Sequence, residues 1–147
     1  MSLAIYRKKR DFKKIREPRG QVAGTRCRAP IFVVQKHRAS HLHYDFRLEM
    51  NGVLKSWAVP KGPSMNPADK RLAISVEDHP LAYAKFHGTI PKGQYGAGKV
   101  EIWDKGAYRV VAGNLRRGEL IVELKGKKLR GQFALLLRCT PCTTGAM

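Results

Sequence analysis

From His41 to Val59 the chain reads as two alternating runs joined by Asn51-Gly52, and no other feature constrains the fold as tightly. Asn-Gly supplies the two positive-φ residues that a two-residue hairpin turn requires, so the runs pair antiparallel. In the first run Leu42, Tyr44, Phe46, Leu48 and Met50 share one register, while His41, His43, Asp45, Arg47 and Glu49 share the other. Side chains two apart lie on one face of a pleated strand. One face is therefore apolar, and the other sets imidazoles, carboxylates and a guanidinium in a row. The return run, Val53 to Val59, stops at Pro60 and Gly62.

The rest of the chain has the same texture. Ile31–Val34 is β-branched and aromatic, and Arg71–Glu77 alternates. Beyond a Gly- and Pro-rich stretch come Lys99–Trp103, Tyr108–Val111, Glu119–Leu124 and Phe133–Leu137, with breaks at Lys105-Gly106, Arg117-Gly118 and Lys125-Gly126. Many short strands at this spacing argue for an all-β barrel or sandwich. Helical periodicity is weak; a turn or two near 80–85 or 114–117 is the most it allows. Residues 1–30 are basic, poorly periodic and broken by Pro18, Gly20, Gly24 and Pro30, which reads as an arm packing on the domain. The expected organisation is an arm over 1–30, one β-domain over 31–138 and a C-terminal tail over 139–147.

Charge is the first clue to a partner. The 147 residues carry 29 Lys and Arg against 11 Asp and Glu, a formal net charge of +18. Self-repulsion disfavours such an imbalance, whereas a polyanion that releases counterions on binding favours it. With no basic amphipathic helix in view, nucleic acid is the expected partner over a membrane surface. No apolar run approaches the roughly 20 residues of a membrane span, and no signal segment opens the chain, so a cytoplasmic protein is expected. Cys27 is alone, and Cys139 and Cys142, with C-x-x-C spacing but no second ligand pair nearby, read as two tail thiols in a reducing compartment.

Three runs place reactive residues in one register: Gln35 with His37; His43, Asp45 and Arg47; and Arg71, Glu77 and His79. If these strands are neighbours, their polar faces merge. His37, His43 and Asp45 offer two imidazoles and a carboxylate, a donor set suited to Mn²⁺, Fe²⁺ or Zn²⁺. Three protein ligands leave positions open for water and a substrate oxygen. The bland alternative is exposed strand histidines beside a surface Asp–Arg pair. Arg47, His79, Lys61 and Arg71 are candidates to hold a phosphate, although Asp78-His79-Pro80 also reads as a turn. Tyr44, Phe46, Trp57 and Trp103 are read as core in preference to base-stacking platforms. Gly93–Val100 approaches the phosphate-cradling G-x-x-x-x-G-K-[ST] pattern but ends in Val100, without the hydroxyl; a nucleoside triphosphate site is rejected, and the segment reads as a glycine-rich loop near a phosphodiester or as a tight connection.

Taken together, Phe32-Val-Val-Gln-Lys-His37, Leu42-His-Tyr-Asp-Phe-Arg-Leu-Glu49, Asn51–Gly62, Val76-Glu-Asp-His-Pro-Leu81 and Ile90–Gly98 closely resemble the 3′-phosphoesterase domain of DNA ligase D systems. The resemblance runs from about residue 6 to 138 and includes Arg10-Asp-Phe12, Glu17-Pro18, Val100–Gly106 and Lys128–Phe133. It implies a compact β-barrel of about eight strands with one or two short helices and a basic N-terminal arm. It also implies a monomeric Mn²⁺ enzyme, able to bind other ions such as Zn²⁺ or Co²⁺, that heals DNA or RNA–DNA primer–template 3′ ends. Its functional partners would be a DNA ligase, an end-joining polymerase and Ku. The implied metal ligands are His37, His43 and Asp45. Arg47 and His79 would contact phosphate. Tyr83, Glu77, Lys61, Arg71 and Gln35 would support them, and Arg10, Asp11 and Glu17 would come from the arm. The departure is at the end, where the family's basic, Trp-containing finish is replaced by Cys139–Met147. Two other classes stay open: a non-catalytic basic β-barrel that binds nucleic acid, and a zinc hydrolase acting on another phosphoester.

Overall fold

The structure is a computed structural model and describes residues 3, 4, 6, 29–137 and 144–146. Nine antiparallel strands carry nearly all of it: β1 Ile31–Arg38, β2 Leu42–Met50, β3 Val53–Val59, β4 Leu72–Pro80, β5 Gly88–Ile90, β6 Gly98–Asn114, β7 Glu119–Lys125, β8 Arg130–Leu137 and β9 Thr144–Ala146. Their order is β1-β2-β3-β4-β9-β8-β7-β6-β5, and an added β1–β6 pairing closes eight of them into a ring. The fold is thus the expected all-β barrel, with two 3₁₀ turns at Leu81–Lys85 and Leu115–Arg117, where the weak helical signals lay.

Asn51 and Gly52 both have positive φ, 51° and 80°, as the hairpin requires. They set the register Met50↔Val53 through Tyr44↔Val59. The apolar register then faces inward: Phe32, Val34, Phe46, Leu48, Trp57 and Val59 pack with Leu120, Val122, Leu124 and Leu135 in the barrel core. The opposite register is not a solvated face. Val33, Leu54, Tyr83, Ala84 and Tyr6 form a second buried cluster on the outside of the wall, under the Leu81–Lys85 turn.

Two elements differ from their sequence reading. Lys99–Trp103 and Tyr108–Val111, expected as separate strands, are parts of the 17-residue β6. Gly106 makes no turn; a Cβ there would lie 2.1 Å from the carbonyl oxygen of Lys125, so glycine serves the close approach of the 125–126 backbone. At the C-terminus, Thr144–Ala146 fills the place between β4 and β8 as β9. Its short, small-residue run gives no periodicity from which a strand is read.

Candidate metal and phosphate site

The β1–β2 register pairs His37 directly with His43, and Gln35 with Asp45. The β2–β3 register sets Arg47 opposite Ser56. Odd-numbered residues of β1 and β2 and even-numbered residues of β3 therefore share the outer face of the barrel wall. There His37, His43, Asp45, Arg47 and Ala58 line a cavity of about 230 Å³ with Glu77, His79, Tyr83, Tyr95 and Gly96. His79 arrives by a β-bulge. Ser56 pairs with Val76 and Leu54 with His79, so β4 advances three residues while β3 advances two. This corrects the parity that grouped Arg71 with His79. Ala73, in register with Arg71, faces the barrel core, and Arg71 lies 3.4 Å from Asp69 beside a separate 880 Å³ cavity between the 64–72 segment and β8. Lys61 is exposed past the end of β3 and, like Arg71, does not line the 230 Å³ cavity.

His37 Nδ1, His43 Nε2 and Asp45 form the group that can hold a metal ion: one ligand atom from each lies within 4.8 Å of the others. Asp45 Oδ1 is 3.3 Å from His43 Nε2, and Oδ2 is 3.6 Å from His37 Nδ1. The far ring nitrogens are tied to main chain: His37 Nε2 is 2.6 Å from the Gly96 carbonyl and His43 Nδ1 is 3.1 Å from that of His41. A carbonyl only accepts, so this network assigns the proton of each neutral ring to the nitrogen facing the carbonyl. The other nitrogen of each ring then turns its lone pair toward Asp45. Two lone pairs and a carboxylate converging this closely repel one another unless a cation or a proton lies among them. Two neutral imidazoles and one carboxylate, with their outer nitrogens fixed by carbonyls, fit a divalent transition ion.

Arg47 stands behind this triad and is 2% exposed. Its Nε donates to Gln35 Oε1 at 2.7 Å and its Nη1 to Ser56 Oγ at 2.8 Å. Nη1 also lies 3.1 Å from His79 Nδ1, and Nη2 lies 3.4 Å from Asp45 Oδ2. The guanidinium covers the Tyr83 ring at 4.8 Å. Gln35, fully buried, donates from Nε2 to the carbonyls of Tyr83 and Phe86, so one amide ties the arginine to the 3₁₀ turn. Burial would push the Asp45 carboxyl up, but Arg47, then His37 and His43, outweigh it and hold it well below the usual carboxylate range. Protonated His43 would donate from Nε2 to Asp45, and this bond raises the imidazole above its ordinary value against the opposing effect of burial.

Over residues 35–137 the sequence matches the family described as the DNA Ligase D 3′-phosphoesterase domain. The chain belongs to this family. It is 52% identical over 138 residues to the multifunctional non-homologous end joining protein LigD of Pseudomonas aeruginosa, covering 91% of the chain and 16% of that relative. The corresponding DNA repair protein of Mycobacterium tuberculosis is 48% identical over 136 residues, covering 91% and 18%. The LigD protein of Mycolicibacterium smegmatis is 44% identical over 143 residues, covering 91% and 19%. The chain thus spans less than a fifth of these relatives.

Of the residues expected at the site of a ligase D phosphoesterase domain, the structure brings together Gln35, His37, His43, Asp45, Arg47, Glu77, His79 and Tyr83. The Glu77 contact with His79 is through its carbonyl oxygen, 2.9 Å from Nδ1. Arg10, Asp11 and Glu17 lie outside the described residues. Sequence reasoning missed Ser56, Gly96 and Tyr6. Ser56 had a signal, a lone hydroxyl in the outward register of β3. Gly96 acts through its carbonyl, and Tyr6 meets His79 edge-on at 5.0 Å from a distant part of the chain; neither has a local pattern. Among the described residues no helix is long and apolar enough to cross a membrane.

Proposed function

We propose that the chain is a divalent-metal-dependent 3′-phosphoesterase that heals DNA ends for ligation in non-homologous end joining. The observation that carries this is the convergence of His37, His43 and Asp45 beside the buried Arg47–His79 pair in one small cavity. Its 230 Å³ falls below the ~300–1,000 Å³ of small-molecule sites. It suits one terminal phosphate and part of a sugar, with the rest of the polymer outside. The +18 charge suits that polymer.

Held by His37, His43 and Asp45, a divalent cation, Mn²⁺ in this reading, would supply Lewis acidity at a phosphate oxygen and acidify a bound water. Arg47, fixed by Gln35 and Ser56, presents a preorganised cation to the charge that builds on the non-bridging oxygens. His79 binds phosphate or protonates the leaving oxygen. In a first step water attacks phosphorus and the bond to a 3′-terminal ribonucleoside breaks, leaving a 3′-phosphate. In a second, water attacks that phosphate and its bond to the 3′ oxygen breaks, leaving a 3′-hydroxyl and inorganic phosphate. Lys61 and Arg71 are assigned to phosphates of the strand outside the cavity, and the arm residues Arg10, Asp11 and Glu17 to the supporting part of the site. The protein would act as a cytoplasmic monomer, alongside a ligase, an end-joining polymerase and Ku.

The test is a labelled primer–template ending in one ribonucleotide, incubated with EDTA, Mn²⁺ or Zn²⁺, with 3′-phosphate and 3′-hydroxyl products resolved. Mn²⁺ should support both conversions and EDTA neither. His43→Ala should lose both steps, whereas His79→Ala should retain one. No conversion with any metal would leave a nucleic-acid-binding barrel instead.

A further inference from the structure

The loop from Pro91 to Ala97 joins β5 to β6, which meet at Ile90↔Gly98. It consists of two consecutive turns. The Gln94 N–H donates to the Pro91 carbonyl at 3.2 Å, and the Ala97 N–H to the Gln94 carbonyl at 3.1 Å. Tyr95 and Gly96 are the central pair of the second turn. Gly96 has φ of 76°, the conformation that the third place of such a turn asks of glycine. Its carbonyl oxygen lies 2.6 Å from His37 Nε2, and a Cβ on it would come within 3.4 Å of His37 Cε1. The turn therefore rests directly on a member of the metal-ligating group, and Tyr95 is held beside that contact.

Tyr95 lines the 230 Å³ cavity and is 47% exposed, whereas Tyr83, the other tyrosine of the lining, is 3% exposed and packs in the outer cluster. A cavity of this volume takes one phosphate and part of a sugar, so the base of a nucleoside attached to that phosphate stays outside it. An aromatic residue at the rim supplies what such a base needs, a π-surface that every base can cover. A single exposed aromatic is ordinary on a protein surface. This one is set apart by its place, on a hydrogen-bonded turn locked to a metal-ligating histidine.

We propose that Tyr95 is a specificity-determining residue, on which the base of the departing 3′-terminal ribonucleoside stacks while the scissile phosphate lies in the cavity. This deepens the reading of the site as a 3′-phosphoesterase and rests on it for the substrate. The residue acts in one step only. In the first step a ribonucleoside extends beyond the scissile bond and reaches Tyr95. In the second step nothing extends beyond the 3′-phosphate, and Tyr95 has no base to hold. Stacking that is equal in ground and transition states lowers KM and leaves kcat where it was.

The experiment measures binding of the full chain in EDTA by fluorescence anisotropy. The labelled primer–template ends in one ribonucleotide, in the same ribonucleotide without its base, or in a 3′-phosphate. Wild type should bind the abasic end about tenfold more weakly than the ribonucleotide end, a comparison that needs no variant. Tyr95→Leu should weaken the ribonucleotide end about tenfold and the other two ends less than about twofold. Tyr95→Phe keeps the ring and should restore the ribonucleotide end. With Mn²⁺, Tyr95→Leu should raise KM of the first step about tenfold against a kcat change below about twofold. Equal affinity of wild type for the ribonucleotide and abasic ends, equal weakening at all three ends, or the same loss in Tyr95→Phe overturns the role of the ring. EDTA halts hydrolysis, so the two readings fail separately: a wild type that converts neither end with any metal sinks the esterase, while anisotropy alone decides the ring.

Discussion

Replacing Gln35 by methionine keeps the length and approximate volume of the side chain and deletes its amide. Three partners lose a hydrogen bond: the buried Arg47 Nε and Tyr83 carbonyl, both at 2.7 Å, and the part-buried Phe86 carbonyl, at 3.1 Å. A buried bond to a charged group contributes ~1.5–3 kcal/mol, and an orphaned neutral acceptor costs ~1–3 kcal/mol. The Tyr83 carbonyl keeps the Phe86 N–H at 3.0 Å, and the added apolar burial of methionine offsets a further ~1 kcal/mol. The net loss is about 3 kcal/mol. With a urea m-value of ~1–3 kcal/mol/M, the unfolding midpoint should fall by roughly 1–3 M. Because the same amide orients Arg47, turnover on a 3′-end substrate should fall about a hundredfold, while metal binding, measured by calorimetry, changes little. An unfolding midpoint within about 0.3 M of wild type would refute the reasoning, since Arg47 would then be held without Gln35.

Arg47→Lys retains a positive charge but has one nitrogen where three now reach Gln35, Ser56, His79 and Asp45. Turnover should fall at least a hundredfold with metal affinity kept within about tenfold, and recovery of turnover by the lysine would show that charge alone suffices. Asp104 accepts four backbone N–H groups, and although burial pushes its carboxyl up, those bonds hold it below its ordinary value. Its contribution is therefore full above the unfolded carboxylate pKa and is lost as pH falls through the lower folded value. Asp104→Asn should destabilise by about 2 kcal/mol at neutral pH and by less near pH 2, read from urea curves at each pH. Gly98 has φ of 136°, and a Cβ there would lie 2.1 Å from the Arg38 carbonyl oxygen, so Gly98→Ala should destabilise by at least ~2 kcal/mol. Since residue 98 ends the loop that carries Gly96, the same variant should weaken Mn²⁺ binding, and unchanged affinity would show that the Gly96 carbonyl does not fix His37.

Period-two alternation and Asn51-Gly52 determined β2, β3 and their register, because a slip of one residue would exchange the apolar and polar faces. With that register come the shared face of His43, Asp45 and Arg47 and, through the run before it, that of Gln35 and His37. These are local consequences of the pleat and are legible residue by residue. Tertiary structure decided what lies beyond one strand. The β4 bulge brings His79 to the site and leaves Arg71 aside, and the β6 bulge separates Trp103 from the outward register. Neither slip has a local pattern, since a bulge is fixed by the partner strand it accommodates. Gly106 looked like a turn and is a close crossing, because nothing near it in sequence reveals the Lys125 carbonyl. The burial of the polar face likewise depends on Tyr6 and the 81–85 turn, which arrive from outside the hairpin. A strand's own side chains declare which of them share a face; what covers that face is settled only when remote segments pack.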